Sequence, residues 1–279
     1  MPLQNVHGDS IFTKINKVKK QYEYLTEDIE TDVVIVGGGV TGAILGYYFS
    51  KANIGAVILE KERIAHGSTS ITTSLLQYEL DSNARELEEY TTLDNVITSY
   101  KLGLKALDEI EQFIKEYGNK CKYEKKDTLL YTSKEYEVKE MKEEYEIRKN
   151  AGIDVKYISE ENNPFSLDLK AGVYGVNAGA QLDPYEYTHQ LLDVSCNMGL
   201  KVYENTEVME IAYGKDEVEI ITSFGYKVKA KKVIIATGYN TQRFTKRNFG
   251  VKTVTYNIAT KSVKSFDGWF NKVLIRDNC

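Results

Sequence analysis

Cysteine, proline, histidine and tryptophan are all scarce in this 279-residue chain, with three, three, three and one copies. Cys121, Cys196 and Cys279 are odd in number and far apart. That excludes a disulfide framework and fits a reducing, cytoplasmic compartment. His7, His66 and His189 are isolated, and no His/Cys/carboxylate cluster has metal-ligand spacing, so no metal is expected. No Pro/Ser linker, internal repeat or low-complexity segment is present. No apolar run approaches the ~20 residues that span a bilayer. The first twenty residues lack an apolar core, so no secretory signal is expected. Net charge is −5, and the basic residues are scattered among acidic ones, as in "KEYEVKEMKEEYEIRK". Neither nucleic acid nor a membrane surface is therefore an expected partner.

What is present is an ordinary globular composition, 42% hydrophobic and 28% charged. Such a chain buries roughly 70–75% of its unfolded surface. Residues 1–30 read as an N-terminal arm. Residues 32–36, "DVVIV", are a continuous apolar run, as a parallel strand covered on both faces requires. A helix over 40–51 and a second buried strand over 55–60 complete a βαβ unit. Apolar residues recurring every three or four positions predict a helix over 94–117. A strand follows over 121–131. Thr132 and Glu135 have capping-box spacing for a helix over 133–150, ended by Gly152. Asp183-Pro184 is an N-cap and N1 pair for a helix through Met198, with Gly199 after it. From 201 to 236 the pattern predicts an antiparallel meander turning at Gly214 and Gly225 and ending in "KVIIATG".

Gly37, Gly39 and Gly42 form G-x-G-x-x-G between a predicted strand and a predicted helix. The first glycine makes a tight turn, the second admits a pyrophosphate, and the third lets helix and strand pack closely. The helix N-terminus offers unpaired N–H groups to the phosphates. Glu60 ends the second strand, where a carboxylate accepts hydrogen bonds from ribose hydroxyls and repels a 2′-phosphate, disfavouring NADP. The Ser/Thr-rich stretch at 67–74 has two readings, contacts to phosphate or ribityl groups and a surface loop with helix caps. The motif before it favours the first.

Four blocks, in order, resemble the FAD-dependent amine and D-amino-acid oxidase superfamily, which includes glycine oxidase and sarcosine oxidase-like enzymes. They are "DVVIVGGGVTGA…VILEKERIAHGSTSITTSLLQYELD", "GAQLDPYEYTHQLL", "ENTEVMEI" and "KKVIIATG". The resemblance implies FAD as cofactor. Gly37, Gly39, Val40, Thr41 and Gly42 would line the pyrophosphate, and Glu60 the adenosine ribose, with Lys61 beside it. Ser68, Thr69, Ser70, Thr73, Ser74 and Leu75 would lead toward the flavin ring. Val208 would meet the adenine through its backbone, and Ala236, Thr237 and Gly238 would close over the cofactor. The substrate class implied is a small amine or amino acid, oxidised by hydride transfer to flavin N5. Relatives continue beyond the position of "NKVLIRDNC", so this chain reads as truncated in its substrate part, and no catalytic residue is assigned.

Other residues have plainer readings. His66 reads as a loop residue, His189 as a helix residue, Cys121 and Cys196 as core residues, and Arg243 and Arg247 as an exposed basic turn. Gln77 and Tyr78 either approach the flavin or begin a secondary-structure element. The expected fold is α/β, a Rossmann-like parallel sheet with an antiparallel meander. The expected domains are a cofactor domain of 31–75 and 201–249, and an incomplete mixed α+β substrate region of 76–200 and 250–279. Two alternatives stand beside the oxidase reading: a nucleotide-binding module without turnover, and an NAD-dependent dehydrogenase. A homo-oligomer or a completing partner chain is left open.

Overall fold

The computed structural model describes residues 10–17, 20–247, 261 and 272–278. The chain folds into two compact units, 1–73 with 183–256, and 74–182 with 257–279. It enters the first unit with α1 (Ile11–Ile15), β1 (Ile29–Val36), α2 (Val40–Lys51) and β2 (Ala56–Leu59). It crosses into the second with β3 (Leu75–Gln77), α3 (Ala84–Glu88), α4 (Leu93–Tyr117), β4 (Glu124–Thr132), α5 (Val138–Asn150), β5 (Val155–Ser159) and β6 (Ala171–Gln181). It returns with α6 (Pro184–Asn197), β7 (Lys201–Tyr203), β8 (Val208–Tyr213), β9 (Val218–Thr222) and β10 (Lys227–Ile235), and finishes in the second unit with β11 (Val273–Asp277).

The first unit is built on a six-stranded sheet of order β7-β2-β1-β10-β9-β8. β7, β2, β1 and β10 are parallel, and β9 and β8 join antiparallel. Val33 to Val36 and all four residues of β2 are buried, which explains their unbroken apolar run. α2 follows β1 after a three-residue turn. α6 starts at Asp183, whose Oδ1 accepts the N–H groups of Tyr185 and Glu186, both at 3.0 Å. Pro184 needs no N–H there.

The second unit carries a sheet of order β11-β4-β6-β3, with β5 also paired to β6. Only the β11–β4 pair is parallel. Arg148, fully buried, donates from Nε to Glu144 at 2.7 Å and from Nη1 to Glu79 and Tyr78 at 3.0 Å. Tyr100 donates to the same Glu144 oxygen at 3.0 Å. Burial alone would disfavour the guanidinium charge, but Tyr78 and the two carboxylates around it hold that charge.

Several expectations need correction. Lys201–Tyr203 is a parallel edge strand beside β2, not part of the meander. The box of Thr132 and Glu135 does not form: the Thr132 hydroxyl donates to Glu137 at 2.6 Å and accepts the Lys134 N–H, and α5 begins only at Val138. Residues 183–200 group with the cofactor-type sheet, whereas Ser74 and Leu75 open the other unit. The expected arm over 1–30 holds α1 and the first residues of β1. Tyr78 follows β3, and its ring is buried. His189 is buried within α6, and Cys196 is half-buried. Of the region expected over 250–279, residues 250–260, 262–271 and 279 lie outside the described residues.

Candidate functional site

The site is built in the first unit, where β1 stops and α2 starts. Gly37 has φ +112°, and a Cβ on it would lie 2.5 Å from the Ala236 carbonyl oxygen, so only glycine fits. A Cβ on Gly42 would lie 2.0 Å from the Gly37 carbonyl oxygen. The turn and the first coil of α2 are thus in backbone contact. Gly39 caps α2 with φ −79° and ψ −176°, extended backbone open to any residue. What restricts it is the Thr69 hydroxyl, 3.0 Å from where its Cβ would stand. That hydroxyl accepts the Val40 N–H at 2.9 Å. The first-turn N–H groups of an α-helix have no intrahelical acceptor, so Thr41 and Gly42 present donors here, while that of Val40, expected to line the pyrophosphate, is taken by Thr69.

Glu60 reaches this turn from the end of β2. Its Oε2 accepts the Gly38 N–H at 2.7 Å and its Oε1 the Glu62 N–H at 2.9 Å. Burial raises its carboxyl above the usual carboxylate range, outweighing those two N–H groups, which act in the opposite direction. Ala236 donates its N–H to the Val36 carbonyl at 2.8 Å, which brings "ATG" to the same turn. Thr237 Oγ1 lies 3.2 Å from Thr241 Oγ1. Gly238, at φ +53°, would carry a Cβ 3.6 Å from the Ser68 hydroxyl.

Gly37, Gly39, Val40, Thr41, Gly42, Glu60, Ser68, Thr69, Ala236, Thr237 and Gly238 therefore gather at one turn. Ser70 is buried behind it, with its hydroxyl on the Gly67 carbonyl at 2.9 Å. Lys61 is exposed and paired with Glu62 at 2.9 Å. Thr73 is exposed at the end of the unit's first segment. Ser74 and Leu75 belong to the second unit, where the Ser74 hydroxyl donates to the Leu182 carbonyl. Val208 starts β8 with its side chain in the core, two residues after Thr206, whose N–H donates to the Glu60 carbonyl at 2.8 Å. His66 is half-buried, its ring edge-on to Tyr185. Arg243 is taken up by Glu207.

Two contributors have no signal in local sequence. Gly38 is buried, and a Cβ there would lie 2.2 Å from Ile64 Cδ1. Glu204, 2% exposed, accepts the Ile64 N–H at 2.7 Å from 140 residues away. Among the described residues no helix is long and apolar enough to cross a membrane, and no group of three His, Cys, Asp or Glu side chains is placed to hold a metal ion.

A parallel sheet with a glycine turn, a carboxylate at the end of the second strand and a returning "ATG" strand defines an α/β protein of the dinucleotide-binding class. More particularly, the chain belongs to the DAO family, described as FAD dependent oxidoreductase, whose model matches residues 32–268. FAD is that family's cofactor. The chain is 28% identical over 215 residues to a Bacillus subtilis (strain 168) protein named for a Rieske 2Fe-2S iron-sulfur centre, covering 77% of this chain and 42% of that one. It is 24% identical over 235 residues to gamma-glutamylputrescine oxidoreductase of Escherichia coli (strain K12), covering 82% and 54%. The glycine oxidase structure from Geobacillus kaustophilus superposes with a TM-score of 0.61 at 21% identity, covering 75% of this chain and 55% of that one. The chain spans about half the length of these relatives.

The residues present fit the ADP part of FAD. Gly37 and Gly42 let the turn pack against Ala236 and α2, a Cβ on Gly39 would meet only the Thr69 hydroxyl, and the α2 N-terminus supplies the donors a pyrophosphate needs.

Proposed function

We propose that this chain binds FAD and serves the oxidation of a small amine or amino acid. The observation that carries the reading is the Gly37–Gly42 turn, closed on one side by the Glu60 carboxylate and on the other by Ala236. The relatives named for glycine and γ-glutamylputrescine support the substrate class. When bound, FAD would supply the electron acceptor for removal of a hydride from the carbon beside the substrate nitrogen. The chain's own residues bind and orient. Thr41 and Gly42 would offer N–H groups to the pyrophosphate, and Glu60 would accept the ribose hydroxyls. Ser68 and Thr69 would lead toward the ring, and Thr237 and Gly238 would close over the cofactor. The gathered residues serve the ADP half and its immediate continuation.

The test is equilibrium binding of ADP and FAD to the purified chain, beside turnover assays with glycine, sarcosine, D-amino acids and polyamines. The expected result is that ADP binds within about tenfold of FAD, because most fixed contacts belong to the shared half, with turnover slow or absent. Poor positioning at the ring can itself cost ~100-fold in rate. Failure of both ADP and FAD to bind would overturn the reading. Tight NADH binding in a colourless preparation would favour a dehydrogenase.

A further inference from the structure

One buried carboxylate in the first unit joins the N-terminal arm to the nucleotide turn. Glu204 Oε1 accepts the Ile64 N–H at 2.7 Å, and Oε2 accepts the Tyr22 N–H at 3.0 Å. The nearest cation, Arg63 Nε, stands 3.9 Å from Oε1. The main chain on both sides reinforces the junction. Glu204 N–H donates to the Glu23 carbonyl at 3.1 Å, and the Thr206 hydroxyl accepts the Leu25 N–H at 3.1 Å. On the loop side, Asn205 donates to the Glu62 carbonyl at 3.0 Å and Thr206 to that of Glu60 at 2.8 Å.

Ile64 is where this junction meets the turn. It is fully buried, with Cδ1 in the space a Gly38 side chain would occupy. The next residue, Ala65, donates its N–H to the Gly38 carbonyl at 3.1 Å. Gly38 in turn donates to Glu60 at 2.7 Å. A line of direct contacts thus runs from Tyr22 through Glu204 and Ile64 to Gly38 and the Glu60 carboxylate. Both groups facing Glu204 from the backbone are N–H donors, and only a carboxylate offers an acceptor to each. Glutamine has the same shape but would set its NH2 against one of them.

We propose that Glu204 is a positioning residue for the nucleotide turn, and that through it the N-terminal arm is part of the cofactor site. The proposal rests on the nucleotide-binding reading above. It predicts that Glu204 matters for ADP through Glu60 and not through general stability. The experiment measures ADP affinity for the full chain and its Glu204→Gln, Glu60→Ala and double variants, with folding checked by circular dichroism. Glu204→Gln is expected to weaken ADP about tenfold, the effect of one lost hydrogen bond to a charged group. With Glu60 already replaced, the same change is expected to cost less than about threefold, because coupled residues are not additive.

Wild-type affinity in a folded Glu204→Gln protein would overturn the proposal, as would equal losses in the two backgrounds. If the variant does not fold, amide exchange on the unaltered chain decides. Adding ADP should slow exchange at Tyr22 together with Ile64 and Gly38. Protection at Gly38 with none at Tyr22 would overturn it. Absence of ADP binding by the unaltered chain would instead defeat the nucleotide reading itself, and this proposal with it.

Discussion

Replacing Glu60 by alanine removes the acceptor for the Gly38 and Glu62 N–H groups, 2.7 and 2.9 Å away. In the free protein this leaves the buried Gly38 donor unpaired, at about 1–3 kcal/mol. In the complex it also removes the acceptor for the ribose hydroxyls. A hydrogen bond to a charged group is worth about 1.5–3 kcal/mol, so ADP should bind about 10- to 150-fold more weakly. The pH dependence has a defined sign. Burial raises the Glu60 carboxyl in the free fold, so its contribution to stability is present below the unfolded value, about 4.3, and is lost as pH rises through the folded value. Ribose donors favour the charged form, so binding releases a proton. ADP affinity should therefore climb as pH rises through the raised pKa and level off above it. Calorimetric titration from pH 4.5 to 8 in buffers of different ionisation enthalpy reads both quantities. A folded Glu60→Ala protein with unchanged affinity and the same pH profile would remove Glu60 from the site.

Gly42→Ala would ordinarily strengthen a helix by about 1 kcal/mol, but here its Cβ meets the Gly37 carbonyl at 2.0 Å. Overpacking of about 1–3 kcal/mol or more should win, lowering the melting temperature and abolishing ADP binding; an unchanged melt would contradict the contact. Asp183→Ala strips two N–H groups at the start of α6 of their acceptor, and urea denaturation should show a loss of about 1–2 kcal/mol. Arg148→Met leaves Glu79 and Glu144 buried without their cation, for a loss of about 3–5 kcal/mol by the same assay. Arg148→Lys should recover little, since an ammonium lacks the planar fork that serves three acceptors.

The turn between β1 and α2 was legible because its signals are local. A buried run, a glycine spacing and an acid at a strand end each occupy a few consecutive residues, and β1, α2 and β2 follow them. Asp183-Pro184 was legible for the same reason. Where two local signals competed, the reading failed: Glu137 rather than Glu135 takes the Thr132 hydroxyl. The parallel neighbour of Lys201–Tyr203 leaves no mark on three residues, so β7 was absorbed into the meander. At Gly39, expected to admit a pyrophosphate, the backbone angle is ordinary, and the left-handed turn belongs to Gly37, the glycine expected to make it. Gly38 and Glu204 escaped notice because their importance is a matter of distant partners, and no spacing rule connects Glu204 to Ile64.

The central β1–β10 pair joins residues about 200 positions apart, Ile29 to Val228 through Val36 to Ile235. During synthesis, β1 and α2 emerge well before the strand that closes the turn over Gly37 and wait for it. At about 5–20 residues per second, that wait lasts roughly 10–40 seconds. Throughout it, "VVIV" lacks its β10 neighbour and, for most of it, "AVIL" lacks its β7 neighbour, while most of the second unit has already been made. The second unit is no earlier to finish, because β4 pairs with β11, which follows β10 in the chain. Slow folding is the consequence, because the loop-closure entropy is spent before these non-local pairings form.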